Sequence, residues 1–180
     1  FKKKNFHHLV RKKERDLSKS CIDGFKKAKY KDIVVMDGDL QHKPSDLKKI
    51  LDIFYKYNTD VVVGTRDLFA DKNHNLNFFR LIASRTLILI VNILLGRKTS
   101  DPMSGFFMFK KKLFIKSQEK LVKKGYKILL DLLYVKDQKI KVIDVKINFD
   151  SRIKGRSKMS LKILFNLVYM IFKKIISEKV

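Results

Sequence analysis

The chain has 180 residues, 45% of them hydrophobic, which is enough for one domain with its own core and too few for two ordinary ones. A single cysteine, Cys21, excludes an internal disulfide. Forty-two Lys and Arg against 18 Asp and Glu give a formal charge of +24, which calls for an anionic partner: nucleic acid, an anionic membrane surface or a phosphorylated small molecule.

In chain order, the basic opening FKKKNFHHLVRKK contains no apolar secretory run, and it reads as a piece whose start is missing. Residues 17–28 have helical spacing, with Leu17, Cys21, Phe25 and Ala28 on one side, so Cys21 is expected as a small core residue. Residues 32–36 predict a buried strand that ends at an aspartate pair. Ser45 is the expected N-cap of a helix whose Leu47, Ile50, Leu51, Phe54 and Tyr57 mark one face. Strands are predicted over 60–64 and 106–109, helices over 111–123 and 128–135, and an alternating strand within IKVIDVKINF, residues 140–149. Strands alternating with helices predict a layered α/β domain.

Two apolar stretches, LIASRTLILIVNILLG (81–96) and LKILFNLVYMIF (161–172), are broken by polar and charged residues. Both fall short of the roughly 20 apolar residues that span a bilayer. Each could be a core helix. Together, in so basic a chain, they favour amphipathic helices lying in a membrane surface.

The stretch IVVMDGDLQHKPSDL, residues 33–47, sets Asp37 and Asp39 two residues apart at the end of an apolar run. Carboxylates this close repel unless a cation sits between them. On an extended segment both point to one side, and in α/β sheets ligands gather beyond the carboxyl ends of strands. Oxygen ligands favour Mg2+ or Mn2+, and Mg2+ is commonly held by one or two carboxylates plus substrate phosphates. The competing reading of a bare D-x-D is a solvated acidic turn. His7, His8, His42 and His74 have no metal-binding spacing; His42 is expected as a neighbour of the aspartate pair.

VVMDGDLQHKPSDL resembles the D-x-D-L-Q-H-x-P segment of the family 2 glycosyltransferases, in particular the dolichol- and polyprenol-phosphate mannosyltransferases and their bacterial polyprenyl-phosphate relatives. Further along the chain and in the same order, DVVVGTR is similar to the family's V-x-G-x-R strand, FRLIASR to its R-x-x-x-S helix and SDPMSGFFMFKK to its D-x-x-S-G-F segment. GYKILLDLL and FDSRIKGRSKMS match two more elements, the latter an R-x-x-G-x-S-K signature. Lys43 stands where a second proline is usual, and Gly38 where alanine is common.

The resemblance implies a GT-A-like nucleotide-diphospho-sugar transferase fold, incomplete at the N-terminus, because the strand, helix and strand that hold the nucleotide in the family have no counterpart here. It divides the chain into a catalytic portion over 1–158 and an amphipathic, membrane-interfacial helix over 159–180. The implied reaction is inverting transfer of a hexose to a dolichyl or polyprenyl phosphate, with mannose from GDP-mannose first and a UDP-sugar as the alternative donor. Asp37 and Asp39 are implied as ligands of Mg2+ or Mn2+ and of the donor diphosphate, with Gln41 completing the coordination. Arg152 and Lys158 are implied at the donor diphosphate. Arg66, Arg80 and Ser84 are implied at the acceptor phosphate, and Asp101 in a loop-organising or acceptor-side role. Asp131 matches an acidic position with no assigned role. Arg80 and Ser84, four apart, can share a helix face, and Gly155 lets 152–158 turn tightly. The implied partners are a nucleotide-diphospho-sugar, a polyprenyl phosphate and the cytoplasmic face of a membrane, bound peripherally, with no nucleic acid expected. The rival from another class is a non-catalytic basic module for nucleic acid or membranes. It explains the charge but not an acidic pair followed by further motifs in order.

Overall fold

The computed structural model describes residues 7–12, 16–66, 78–136, 138–148 and 161–179, without the side chains of 78–81, 83, 161–164 and 177–179. The elements run α1 (Leu17–Lys27), β1 (Asp32–Met36), α2 (Pro44–Lys56), β2 (Val61–Thr65), α3 (Phe78–Leu95), β3 (Phe106–Lys110), α4 (Lys111–Ser117), α5 (Ile128–Leu133), β4 (Val142–Lys146) and α6 (Leu161–Lys179).

The four strands form one sheet in the order β1-β3-β2-β4. β3 runs antiparallel to both β1 and β2, while β4 is parallel to β2, so β1, β2 and β4 point the same way. The sequence shows why β2 and β3 lie in the middle. VVV and FFMF are apolar at every position, as strands covered on both faces must be. Val61, Val63, Phe107 and Phe109 face a large core built with α1, α3, α4, α5 and α6. Val62, Phe106 and Met108 face a smaller core with Ile50 and Phe54 of α2. The result is three layers, with α2 alone on one side of the sheet.

Five expectations need correction. β1 is an edge of this sheet rather than a strand buried on both sides: Ile33 is covered, whereas Val34 and Met36 are exposed. The helix after the aspartates starts one residue before Ser45, at Pro44, with Lys43 as N-cap and no side-chain cap bond. Proline is preorganised for the first helical position and has no N–H there to satisfy, so it sets the start. The helix expected over 111–123 stops at Ser117, because the N–H groups of Val122 and Lys123 bond the Asp131 carboxylate instead, both at 3.0 Å, and Lys123 adopts a positive φ of 59°. Asp37 and Asp39 are not on one extended segment: Asp37 directly follows β1, and Asp39 lies in the bend after it, where Leu40 has φ 63°. β2 also begins and ends one residue later than expected.

Cys21 behaves as expected, half-buried against the larger core. Among the described residues, no helix is long and apolar enough to cross a membrane.

Candidate active site

β1 and β2 point the same way, so the chain leaving each of them arrives at one pole of the sheet, and β3 starts from that pole. Asp37 leaves β1 there, Arg66 leaves β2 there, and the segment 101–105 enters β3 from there. Three of the motifs picked out in the sequence thus converge, although 64 residues separate Asp37 from Asp101.

The approach is close. The Asp37 N–H donates to the Gly105 carbonyl at 3.1 Å, and a Cβ on Gly105 would run into the Asp37 carboxylate. Only glycine leaves room for that carboxylate, which explains the S-G-F sequence at the head of β3. Ser104 fastens the same turn: its hydroxyl donates to the Gly64 carbonyl at 2.6 Å and accepts the Phe106 N–H at 3.1 Å. Asp39 accepts the Gln41 N–H at 3.3 Å, and Gln41 and His42 are both buried where the bend passes into α2. The His42 ring lies 5.0 Å from that of Phe106.

Arg66 and Asp101 form the strongest polar contact of this pole. Arg66 Nε donates to Asp101 Oδ2 at 2.7 Å and Nη2 to Oδ1 at 3.0 Å, a two-pronged pair in which Asp101 is wholly enclosed and Arg66 keeps 19% of its side chain exposed. Burial works against the guanidinium charge, but Asp101, with Asp37 behind it, outweighs burial and holds the Arg66 pKa above its ordinary value. His42 goes the other way. Burial pushes its imidazole below the usual value, against an upward pull from Asp37 and Asp39, with Arg66 adding to the fall and Asp101 opposing it.

Ser84 lies half-buried on α3. Arg80 belongs to the same helix, but its side chain is outside the described residues, as are Arg152, Lys158 and His74. Asp131, the acidic position without a role, is remote in kind from this cluster. It is fully buried, its carboxylate takes two backbone N–H groups, and it pairs with the buried Lys174 of α6 at 2.7 Å.

Among the described residues, no group of three or more His, Cys, Asp or Glu could hold a metal ion unaided. Two carboxylates at a strand end instead fit a hard divalent cation whose remaining ligands come from substrate phosphates and water, and the Gly105 cradle keeps Asp37 at that position.

Sequence reading missed one contributor, Asp144. It sits in mid-strand on β4, and its carboxylate takes the Thr99 hydroxyl and, at 2.8 Å, the Ser100 N–H. Aspartate is depleted from strands, and that oddity in KVIDVKI was the available signal.

The description of glycosyl transferase family 2 matches residues 1–117. A dolichol-phosphate mannosyltransferase of Pyrococcus furiosus is 35% identical over 167 residues, covering 92% of this chain and 46% of the relative. One from Saccharomyces cerevisiae is 32% identical over 168 residues, covering 89% and 61%. The chain therefore spans about half the length of the curated relatives it matches. A solved glucosyl-3-phosphoglycerate synthase of Mycobacterium tuberculosis, in complex with Mn2+, UDP-glucose and phosphoglyceric acid, superimposes with a TM-score of 0.64 at 12% identity, covering 92% of this chain and 55% of that one. At that identity the likeness speaks for the fold alone, which is GT-A-like.

Proposed function

The chain belongs to glycosyl transferase family 2, and from that premise we propose that its protein transfers a hexose, mannose from GDP-mannose, to the phosphate of a dolichol or another polyprenol, with inversion at the anomeric carbon. One observation supports this most: the acidic pair Asp37 and Asp39 and the cationic fork at Arg66 leave two strands that point the same way and so occupy the same pole of the sheet. Such a pole offers a cation site for a leaving diphosphate next to a fixed positive charge for an incoming phosphate.

In the proposed reaction, an acceptor phosphate oxygen forms a bond to the anomeric carbon as the bond from that carbon to the nucleotide diphosphate breaks. The departing oxygen keeps the electron pair. The nucleophile is already ionised, so no side chain has to remove a proton. Asp37 and Asp39, with Gln41, would hold Mg2+ or Mn2+, which supplies charge neutralisation for the diphosphate. Arg66 presents a guanidinium preset by Asp101, so it does not have to reorganise when the acceptor phosphate arrives. Arg80 and Ser84 of α3 join it at that phosphate, and Arg152 and Lys158 act on the donor diphosphate.

Because the family's nucleotide-holding elements have no counterpart in these 180 residues, this chain alone is not expected to be active, and the test is transfer of labelled hexose to a polyprenyl phosphate by the full-length protein that contains it, with GDP-mannose and UDP-glucose in parallel arms. The expected product forms from GDP-mannose and falls to background on chelation or with Asp39→Ala, which removes a half-buried group in a bend and leaves the core untouched. Full activity of Asp39→Ala would remove the metal assignment, and product from UDP-glucose alone would change the donor. Salt-sensitive oligonucleotide binding without transfer in either arm would favour the basic-module reading.

The acceptor is a lipid, and α3 and α6 carry features suited to a lipid surface, on the cytoplasmic face in this proposal. α6 turns Leu167, Met170, Ile171 and Lys174 inward. Its outward face carries Phe165, Val168, Tyr169, Phe172 and Ile176, with Phe165 72% exposed and Phe172 62%. α3, packed beside it, exposes Leu89, Ile90, Ile93 and Leu94. A helix pair that buries a lysine and exposes its aromatics presents an apolar patch in need of cover. Co-flotation with vesicles containing anionic lipid should weaken with Phe165→Ser and Phe172→Ser. Unchanged flotation, or a dimer that the same substitutions dissociate, would take this face away from the membrane.

A further inference from the structure

Asp144 is out of place by sequence rules and fully engaged in the structure. It occupies the centre of β4, opposite Val63 of β2, where an aspartate neither packs well nor favours the strand. Both of its oxygens reach across to the segment that carries Asp101. Oδ1 accepts the hydroxyl of Thr99, and Oδ2 accepts the Ser100 N–H at 2.8 Å. With its proton committed to Asp144, the Thr99 oxygen offers its lone pairs elsewhere, and it accepts the Asp101 N–H at 3.3 Å. Thr99 is buried, so water offers no ready substitute for these bonds. Asp101 in turn accepts the Met103 N–H at 3.3 Å and holds both prongs of Arg66.

We propose that Asp144 is a positioning residue: through Thr99 and Asp101 it sets the angle at which Arg66 meets the acceptor phosphate. The inference rests on the acceptor reading of Arg66 given above. The chain of bonds runs in one direction, from a carboxylate on the fourth strand to a guanidinium at the end of the second, and every intermediate group is fixed by a partner on each side.

The direction of the expected effect separates this role from two plainer ones. Removing a carboxylate near an anion site should tighten anion binding through space, since one negative charge is gone. A merely structural aspartate should lower stability and leave binding by the folded fraction unchanged. Positioning requires the opposite of the first and more than the second: weaker binding by folded protein.

The experiment is calorimetric titration of the full chain with geranylgeranyl phosphate, for the unsubstituted protein, Asp144→Ala, Thr99→Val, Thr99→Ser and the Asp144→Ala/Thr99→Val pair. Asp144→Ala and Thr99→Val should each raise the Kd about tenfold, in the range seen when a supporting hydrogen bond behind a ligand-binding group is lost. The double variant should be no worse than either alone, because both break the same path. Thr99→Ser, which keeps the hydroxyl, should restore binding. The Arg66 Nε–H resonance, shifted by its bond to Asp101, should move in the two weakening variants and stay put in Thr99→Ser. Should Asp144→Ala fail to fold, Thr99→Val, which replaces a hydroxyl by a methyl of similar size, carries the test. Unsubstituted protein that binds, with variants that bind as well or better, overturns the positioning role alone. Unsubstituted protein that does not bind overturns the acceptor reading and this proposal with it.

Discussion

Asp101 and Asp131 both have no exposed surface, and each is paired with one cation, but the cations differ. Beside Asp101 stands an arginine from the end of β2 that keeps 19% of its side chain in solvent; beside Asp131 stands a lysine from α6 that keeps 3%. The arginine is held as a planar fork by two bonds that fix its orientation, at the pole where the aspartate pair lies. The lysine is a point charge consumed internally, donating to both the carboxylate and the backbone carbonyl of Asp131. In the proposed reading, one aspartate orients a cation of the site. The other braces α6 and the 121–124 segment against α5.

The largest effect expected from this contrast is on stability. Lys174→Met leaves a fully enclosed carboxylate without its cation and should cost about 3–5 kcal/mol, as breaking one side of a buried pair generally does. Arg66→Met should cost less, about 1–3 kcal/mol, because the opening that exposes Arg66 lets water approach Asp101. Urea unfolding of both variants measures the difference. Equal costs would mean that the two pairs are enclosed alike and would erase the distinction.

A smaller and more selective effect comes from the aspartates. Asp101→Asn keeps the shape but turns one acceptor into a donor against Arg66 or the Met103 N–H, so the fork loosens. It should raise the acceptor constant severalfold and leave the nucleotide-sugar constant alone. Asp131→Asn puts the same mismatch against Lys174 and the N–H groups of Val122 and Lys123, lowering stability with no change in either constant. Steady-state kinetics varying each substrate in turn, alongside thermal unfolding, separate the two outcomes. An acceptor constant that moves with Asp131→Asn would show that the brace and the site are one unit.

The same contrast explains what could be read from the sequence. Local pattern sufficed where the cause was local: the unbroken VVV and FFMF runs marked the central strands, and the spacing of Leu17, Cys21 and Phe25 marked α1. It failed where the cause lay far along the chain. The apolar spacing from Leu113 to Val122 looks helical throughout, but the carboxylate of Asp131 claims the backbone there. Val34 and Met36 read as part of a buried strand because nothing in five residues says which strand becomes the sheet edge. The amphipathic pattern of 159–180 does not single out Lys174, whose partner is 43 residues away. At the site, the ordered motifs named Asp37, Arg66 and Asp101, but neither their convergence nor the support from Asp144 follows from spacing.

The last expected effect sits between the two regions, at Cys21. α1 is stitched to the Asp131 side by Asp16, whose carboxylate caps the helix at Lys19 and accepts the Gly125 N–H at 2.8 Å, while Gly125 returns its carbonyl to the Ser18 N–H. Burial raises the Cys21 thiol to about 11, with further upward pushes from Asp37 on the site side and Asp16 on the brace side. For a group whose folded pKa lies above its unfolded value, the stabilisation is complete below the unfolded value and is lost as pH rises towards the folded one. An alkaline decline in stability should therefore begin near pH 9.0 and level off near about 11, and Cys21→Ala should remove that part of the curve. At neutral pH the thiolate fraction should be about 100-fold below that of an ordinary cysteine, so alkylation by iodoacetamide of the folded chain should be correspondingly slow. Rapid alkylation at pH 7 without unfolding would show that α1 opens more readily than its bonds to Gly125 suggest. A rise in rate on Lys174→Met but not on Asp101→Asn would place that opening on the Asp131 side.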